Sequence, residues 1–221
     1  MILRCVRMFD KAYERDGLLF GDAVSKELND YLEANRVTGV ALDLGCGDGR
    51  DTVSLLKLGF AVTAIDSSAA AIRKLCGRKE LTADMRHALN EVVGDIRTWH
   101  YPVEQFDVIV AATVLDHIAV GELTSVVKSM INAVKPGGVI FVQVHTVDDP
   151  GITGQGPISE FASEIRHYFE WNELLDVFKP YLRILKYEER SEWDYDHGPR
   201  HRHGMAVMLG TTLVRRNQCE S

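Results

Sequence analysis

The chain has 221 residues, 46% hydrophobic and 26% charged, the balance of a globular protein with a core to bury. Its formal charge of -7, from 25 basic and 32 acidic side chains, argues against a general grip on nucleic acid or anionic membrane, since both need positive surface. No apolar run approaches the roughly 20 residues that cross a bilayer, and Met1 to Arg7 opens no signal-peptide core, so a cytoplasmic protein with no membrane partner is expected.

Residues 10–16 and 22–35 read as a helical lead, because Ala23, Val24, Leu28, Tyr31 and Leu32 recur at three- and four-residue spacing. Val40 to Leu44 is a short apolar strand, Gly45-Cys46-Gly47-Asp48-Gly49 a turn, and Arg50 to Leu58 a helix that Gly59 stops. The second strand is Ala61 to Ile65, ending in Asp66; Ser67 or Ser68 caps the helix that begins at Ala69. Asn90 to Val93 is a third strand and Phe106 to Ala111 a fourth. Leu123, Val126, Val127, Met130, Ile131 and Val134 mark an amphipathic helix.

Lys135-Pro136-Gly137-Gly138 is expected to end that helix and lead into a fifth strand, Val139 to Val144. Residues 145–159 carry the glycines, prolines and paired acids of a long functional loop. Helices are expected at 160–169 and 173–178, then strands near 182–191 and 205–213. Alternating strands and helices imply a mostly parallel sheet covered on both faces. With no repeat and no linker, residues 1–221 are expected to form one domain, with 1–38 as the lead.

Cys5, Cys46, Cys76 and Cys219 are scattered without a CxxC pair, the pattern of neither a disulfide framework nor a structural zinc site. Cys46 lies inside the glycine turn, where a buried filler is expected. The turn follows the first strand, where open α/β sheets bind ligands. A dinucleotide fingerprint holds an anionic diphosphate there, but Asp43 before this turn and Asp48 within it suit a cationic ligand. S-adenosylmethionine carries a sulfonium and an ammonium beside a neutral adenosine. Asp66, followed by Ser67, is placed for the ribose hydroxyls. Asp95 is placed for the adenine amino group, with Ile96 against the ring, and Ala111, Ala112 and Thr113 as a wall under the methionyl arm.

The set ALDLGCGDGR at 41–50, VTAIDSS at 62–68, GDI at 94–96, FDVIVAATVLDHI at 106–118 and KPGG at 135–138 resembles the class I S-adenosylmethionine-dependent methyltransferases. That resemblance implies a Rossmann-like α/β fold of seven strands in the order 3-2-1-4-5-7-6, the last antiparallel, with helices on both faces. It implies S-adenosylmethionine as cofactor and S-adenosylhomocysteine as product. Within that family, LDLGCGDGRDTVSLLKLGFAVTAID at 42–66, the EL of WNELLDVF at 171–178 and HRHGMAVMLG at 201–210 are similar to the tellurite-resistance methyltransferases of the TehB type. This implies a chalcogen oxyanion, chalcogenide or thiol as acceptor. The helical lead and the 145–159 loop depart from the smallest such enzymes and leave room for an amine, carboxylate or hydroxyl, or for a protein.

The reaction expected is a single in-line displacement. Asp116, His117 and His145 are the candidates for any base it needs, and Tyr13, Phe20, Arg200, His201 and His203 for the acceptor pocket. His197, His201 and His203, with the Asp148-Asp149 pair, have the residue types of a metal site but no familiar ligand spacing, so no metal is assigned, and anion or substrate recognition or solvent-facing strand positions are the other readings. Ala111-Ala112-Thr113-Val114 stands where amino-methylating nucleic-acid enzymes carry a [DNS]PP[YFW] motif, which argues against nucleic acid. A binder of the cofactor without turnover is the reading from a different class. Either a monomer or a homodimer fits.

Overall fold

The computed structural model describes residues 2–154, 156, 158–195 and 200–213, with the main chain alone for residues 2–7. His197 and Cys219 lie outside the described residues. The sheet has seven strands: β1 (Val40–Leu44), β2 (Ala61–Asp66), β3 (Leu89–Val93), β4 (Phe106–Ala112), β5 (Val134–His145), β6 (Leu182–Asp194) and β7 (His201–Thr212). Their order is β3-β2-β1-β4-β5-β7-β6, with β7 antiparallel to both neighbours and the other pairings parallel. This is the topology the resemblance implies.

The helices are α1 (Ile2–Tyr13), α2 (Lys26–Asn35), α3 (Arg50–Lys57), α4 (Ala69–Cys76), α5 (Ala83–Ala88), α6 (Val120–Ala133), α7 (Pro150–Thr153) and α8 (Glu173–Phe178). Strands buried on both faces read as continuous apolar runs, and successive side chains go to opposite sides. In β4, Val108 and Val110 join the core under α2, α3 and α4, while Ile109 and Ala111 join the core under α6 and α8. Leu28, Leu32, Val53, Leu56 and Leu75 fill the first core, and Leu123, Val126, Met130 and Phe178 the second. A third, smaller cluster places Ala12, Tyr13 and Leu19 of the lead against Ala70, Ala71 and Phe161. Among the described residues, no helix is long and apolar enough to cross a membrane.

Four expectations are corrected. The lead's helices run 2–13 and 26–35 rather than 10–16 and 22–35. Lys135 to Gly138 does not separate helix from strand: α6 ends at Ala133 and β5 starts at Val134, with a register shift against β4. Residues 160–169 are not an α-helix. They hold one 3-10 turn at 162–164, and then the Arg166 and His167 amides donate to the Asp116 carbonyl at 2.8 and 3.0 Å and the Phe169 amide to the His145 carbonyl at 2.9 Å. Finally, β7 begins four residues before Met205, so His201 and His203 are strand residues.

Candidate active site

The carboxyl ends of the parallel strands open on a cavity of about 270 Å³. Strand order sets its layout. Asp95 stands after β3, Asp66 at the tip of β2, the glycine turn after β1, Thr113 after β4, and His145 at the end of β5, while His203 at the start of β7 and Asp194 at the end of β6 complete the far side.

Asp66 ties two elements together. The Gly47 amide donates to its Oδ2 at 2.9 Å and the Ser68 amide to its Oδ1 at 2.8 Å. Burial pushes its pKa up, and these two amides oppose that rise. The turn is made of close approaches. Gly45 and Gly47 have φ of +67° and +55°, and a Cβ would meet Val114 at 2.4 Å in the first case and the Tyr13 hydroxyl at 2.6 Å in the second. Only glycine fits such a turn without strain. Asp43 accepts from Thr52 Oγ1 at 2.5 Å, and burial, with Asp51 nearby, raises it to about 7. Cys46 is buried and its thiol is pushed well up by burial and by Asp66, so it stays neutral and is no nucleophile.

Asp48 of the turn and Asp51 at the start of α3 hold the lead in place. Asp48 Oδ2 accepts from the Leu19 amide at 2.7 Å, and Asp51 accepts from the Ser25 amide at 2.8 Å and hydroxyl at 3.1 Å. Phe9 stacks on Phe161 with centroids 5.2 Å apart and meets His117 edge-on at 5.3 Å, which makes an aromatic roof over the cavity. Tyr13 and Phe20 line it as well, and burial beside Asp66 raises Tyr13 well above its ordinary value.

At the far side, Asp116 is fully buried behind His145. Its Oδ2 accepts from the His145 amide at 3.1 Å and contacts His145 Nδ1 more closely still. Burial alone would raise Asp116, but His145 and His117 overcome it and hold the carboxyl at about 2. Burial alone would lower His145, and Asp116 reverses that, so the imidazole is a stronger base than usual. His117 lines the cavity with Nδ1 3.0 Å from the Glu164 carbonyl. Thr113 sits at φ +50°, a conformation β-branched residues rarely hold, and its amide donates to the Gln143 carbonyl at 2.7 Å. That sharp bend carries the chain from β4 to Val114 and His117 on the cavity wall.

The cavity thus brings together Tyr13, Phe20, Asp43, Gly45, Cys46, Gly47, Asp48, Asp66, Ser67, Asp95, Ile96, Ala112, Thr113, His117, His145 and His203. Ala111 is not among them, because the strand's alternation sends it into the α6 core. Arg200 is exposed, its guanidinium 4.0 Å over the Trp193 ring, and does not line the cavity. His201 is buried behind His203. Asp95 is engaged by Arg97, whose Nε and amide each donate to Oδ1 at 2.9 Å, and this pairing holds Asp95 low. Phe9, Phe161, Gln143, Glu192 and Asp194 also line the cavity and were not expected from sequence. They arrive from four separate segments, with Glu192 and Asp194 both on β6, and only the fold joins them.

The strand order and this site define the class I S-adenosylmethionine-dependent methyltransferase architecture. A family model described as a methyltransferase domain matches residues 15–212, and the chain belongs to that family. It is 32% identical over 117 residues to a ubiquinone biosynthesis O-methyltransferase of Methylobacterium sp. (strain 4-46), an alignment covering 51% of this chain and 43% of that protein. The chain therefore spans less than half the length of that curated relative. Its fold is similar to TehB from Haemophilus influenzae, with TM-score 0.68 and 24% identity over 94% of this chain and 67% of that one. It is also similar to the N-methyltransferase NodS from Bradyrhizobium japonicum in complex with S-adenosylhomocysteine, with TM-score 0.67 and 16% identity over 94% and 98%.

The residues present fit that cofactor. Gly45 and Gly47 line the cavity with main chain alone, and Asp66, with an amide on each oxygen, keeps lone pairs for two hydroxyls. Asp43 and Asp66 both line the cavity, and a carboxylate at either position suits a cationic ligand.

Proposed function

We propose that the protein is an S-adenosylmethionine-dependent methyltransferase acting on the hydroxyl of a small molecule, with His145 as the general base and Asp116 positioning it. The glycine turn, Asp66 and Asp43 hold the cofactor, which when bound supplies an electrophilic methyl on its sulfonium. The roof of Phe9, Phe20 and Phe161 and the wall of Val114 and His117 bind a flat, partly apolar acceptor and keep water out. The reading places this reaction in the cytoplasm.

The observation that carries this reading is the buried Asp116–His145 pair at the acceptor end. A hydroxyl must lose its proton as it attacks, and an imidazole held by a carboxylate at Nδ1 offers Nε2 to take it. The oxygen acceptor of the ubiquinone-pathway relative supports the same choice. The chalcogen or thiol acceptor suggested by the HRHG segment is the second reading. Such an anion needs no base, so the dyad would be idle in it.

The test is S-adenosylhomocysteine formation by mass spectrometry on a panel of phenols, other hydroxyl compounds, amines, carboxylates, thiols, and reduced selenite and tellurite. The expected result is turnover on a hydroxyl acceptor that falls about 10²–10⁴-fold in His145→Ala, the usual size of a general-base contribution. Chalcogen turnover indifferent to His145→Ala would overturn it in favour of the second reading. Cofactor binding with silence across the panel would overturn it in favour of a larger acceptor, such as a protein, or a binder without turnover.

A further inference from the structure

We propose that the paired ends of β6 and β7 bind a transition-metal ion, zinc by preference, between His201, His203 and Asp194. The spacing of the histidines in sequence gives no such signal, but the antiparallel register does. Glu192 lies opposite His203 and Asp194 opposite His201. Because strand side chains alternate with a period of two, one face of the ladder carries a Glu-x-Asp pair against a His-x-His pair. Directly opposed residues have Cβ atoms about 4.5–5.5 Å apart.

The donor atoms converge further than register requires. His201 Nε2 and His203 Nε2 are 2.9 Å apart, and His203 Nε2 is 3.9 Å from Asp194 Oδ2. One ligand atom from each of the three residues lies within 4.8 Å of the others. Both imidazoles are buried, at 1% and 6% exposure. At this separation the two rings are joined by an N–H···N hydrogen bond, and a bound cation would replace its proton.

Orientation comes from outside the trio. Asp149 Oδ2 faces His203 Nδ1 at 2.8 Å, while its Oδ1 accepts from the Gly151 amide at 2.7 Å. A carboxylate on Nδ1 selects the tautomer that bears its proton there and turns the Nε2 lone pair toward His201 and Asp194. Carboxylate–histidine–metal chains have this form. Two imidazoles and one carboxylate are a donor set for zinc and its first-row neighbours and a poor one for calcium or magnesium. His203, Asp194 and Glu192 also line the acceptor end of the cavity, so a coordination position left open on the ion faces it. Whether that position meets the acceptor rests on the function proposed above; binding of the ion does not.

The experiment uses the full chain, untagged and stripped with chelator, titrated with Zn²⁺ against a chromophoric competitor, with Co²⁺ replacing zinc as a spectroscopic probe. The expected result is one ion per chain and Co²⁺ d–d bands of a nitrogen- and oxygen-liganded site. Affinity should fall at least 100-fold in His201→Ala, and 10- to 100-fold in Asp149→Asn, which leaves all three ligands in place. Near-UV circular dichroism checks folding without reference to cofactor or activity. If His201→Ala does not fold, Asp194→Asn replaces it, with at least a tenfold loss expected. No zinc bound at micromolar concentration, binding unchanged in the folded variants, or binding lost in His145→Ala but kept in His201→Ala would each overturn the assignment.

Discussion

The Gly47 amide donates to Asp66 Oδ2 at 2.9 Å, so the glycine turn after β1 and the tip of β2 are one rigid unit. Asp66→Ala removes that tie together with the acceptors for the ribose. Hydrogen bonds to a charged group contribute about 1.5–3 kcal/mol each. S-adenosylhomocysteine binding measured by calorimetry is therefore expected to weaken by about 10- to 100-fold or more. Unchanged affinity would place the cofactor elsewhere.

Gly47→Val should be harsher. It puts a β-branched residue at φ +55° and a Cβ 2.6 Å from the Tyr13 hydroxyl. The left-handed backbone alone costs roughly 1–2 kcal/mol. The expected outcome is loss of cofactor binding and a lower Tm. Adding Tyr13→Phe should recover part of the Tm, because it removes the clashing hydroxyl, keeps the buried ring and leaves the backbone strain.

Asp43 gives the chain a pH signature. Its pKa is raised to about 7 by burial first and by Asp51 second, against the Thr52 hydrogen bond. In the folded protein it holds a proton that the unfolded chain releases near 3.8. Its contribution to stability is thus complete below about pH 3.8 and is lost as pH rises toward 7. The slope it can add is at most about 1.4 kcal/mol per pH unit. Urea midpoints across pH 5 to 7 should fall more steeply in the natural protein than in Asp43→Asn, whose amide oxygen can still accept from Thr52. Equal slopes would mean that Asp43 is ionised throughout.

The residues read from sequence for the cofactor, Ala111 apart, line one cavity, and they were legible because their signals are local. A glycine turn, an acid at a strand tip and apolar runs need only a few adjacent residues to be recognised. On the acceptor side Tyr13, Phe20, His117, His145 and His203 were named from sequence and line the cavity, but Phe9, Phe161, Gln143, Glu192 and Asp194 were not, because long-range pairing decides which residues join them. Residues 165–169 are held extended by amides reaching the Asp116 and His145 carbonyls, which outweighs the helical pattern of the segment. His201 and His203 became strand residues because β6 continues to Asp194 and offers them partners. Ala111 failed for a simpler reason: in a strand, a neighbour of a cavity residue points the other way.

The last prediction concerns the lead, which a carboxylate of the turn and one at the start of α3 hold down. Asp48 Oδ2 accepts from the buried Leu19 amide, and Asp51 accepts from both the amide and the hydroxyl of Ser25 ahead of α2. These bonds cross from the lead to the cofactor turn and the start of α3, so they close the roof without contributing to the sheet. Asp48→Ala leaves the Leu19 amide buried without its acceptor, a cost of about 1–3 kcal/mol. Local opening of the lead is therefore expected to rise roughly 5- to 150-fold. Hydrogen exchange should quicken across residues 17–25 while the amides of β1, β4 and β5 keep their protection, since those strands pair with one another and not with the lead. Cofactor should also dissociate faster, because Tyr13 and Phe20 cover the cavity only while the lead is docked. Uniform loss of protection through the sheet would instead mean that the lead and the sheet open as one cooperative unit.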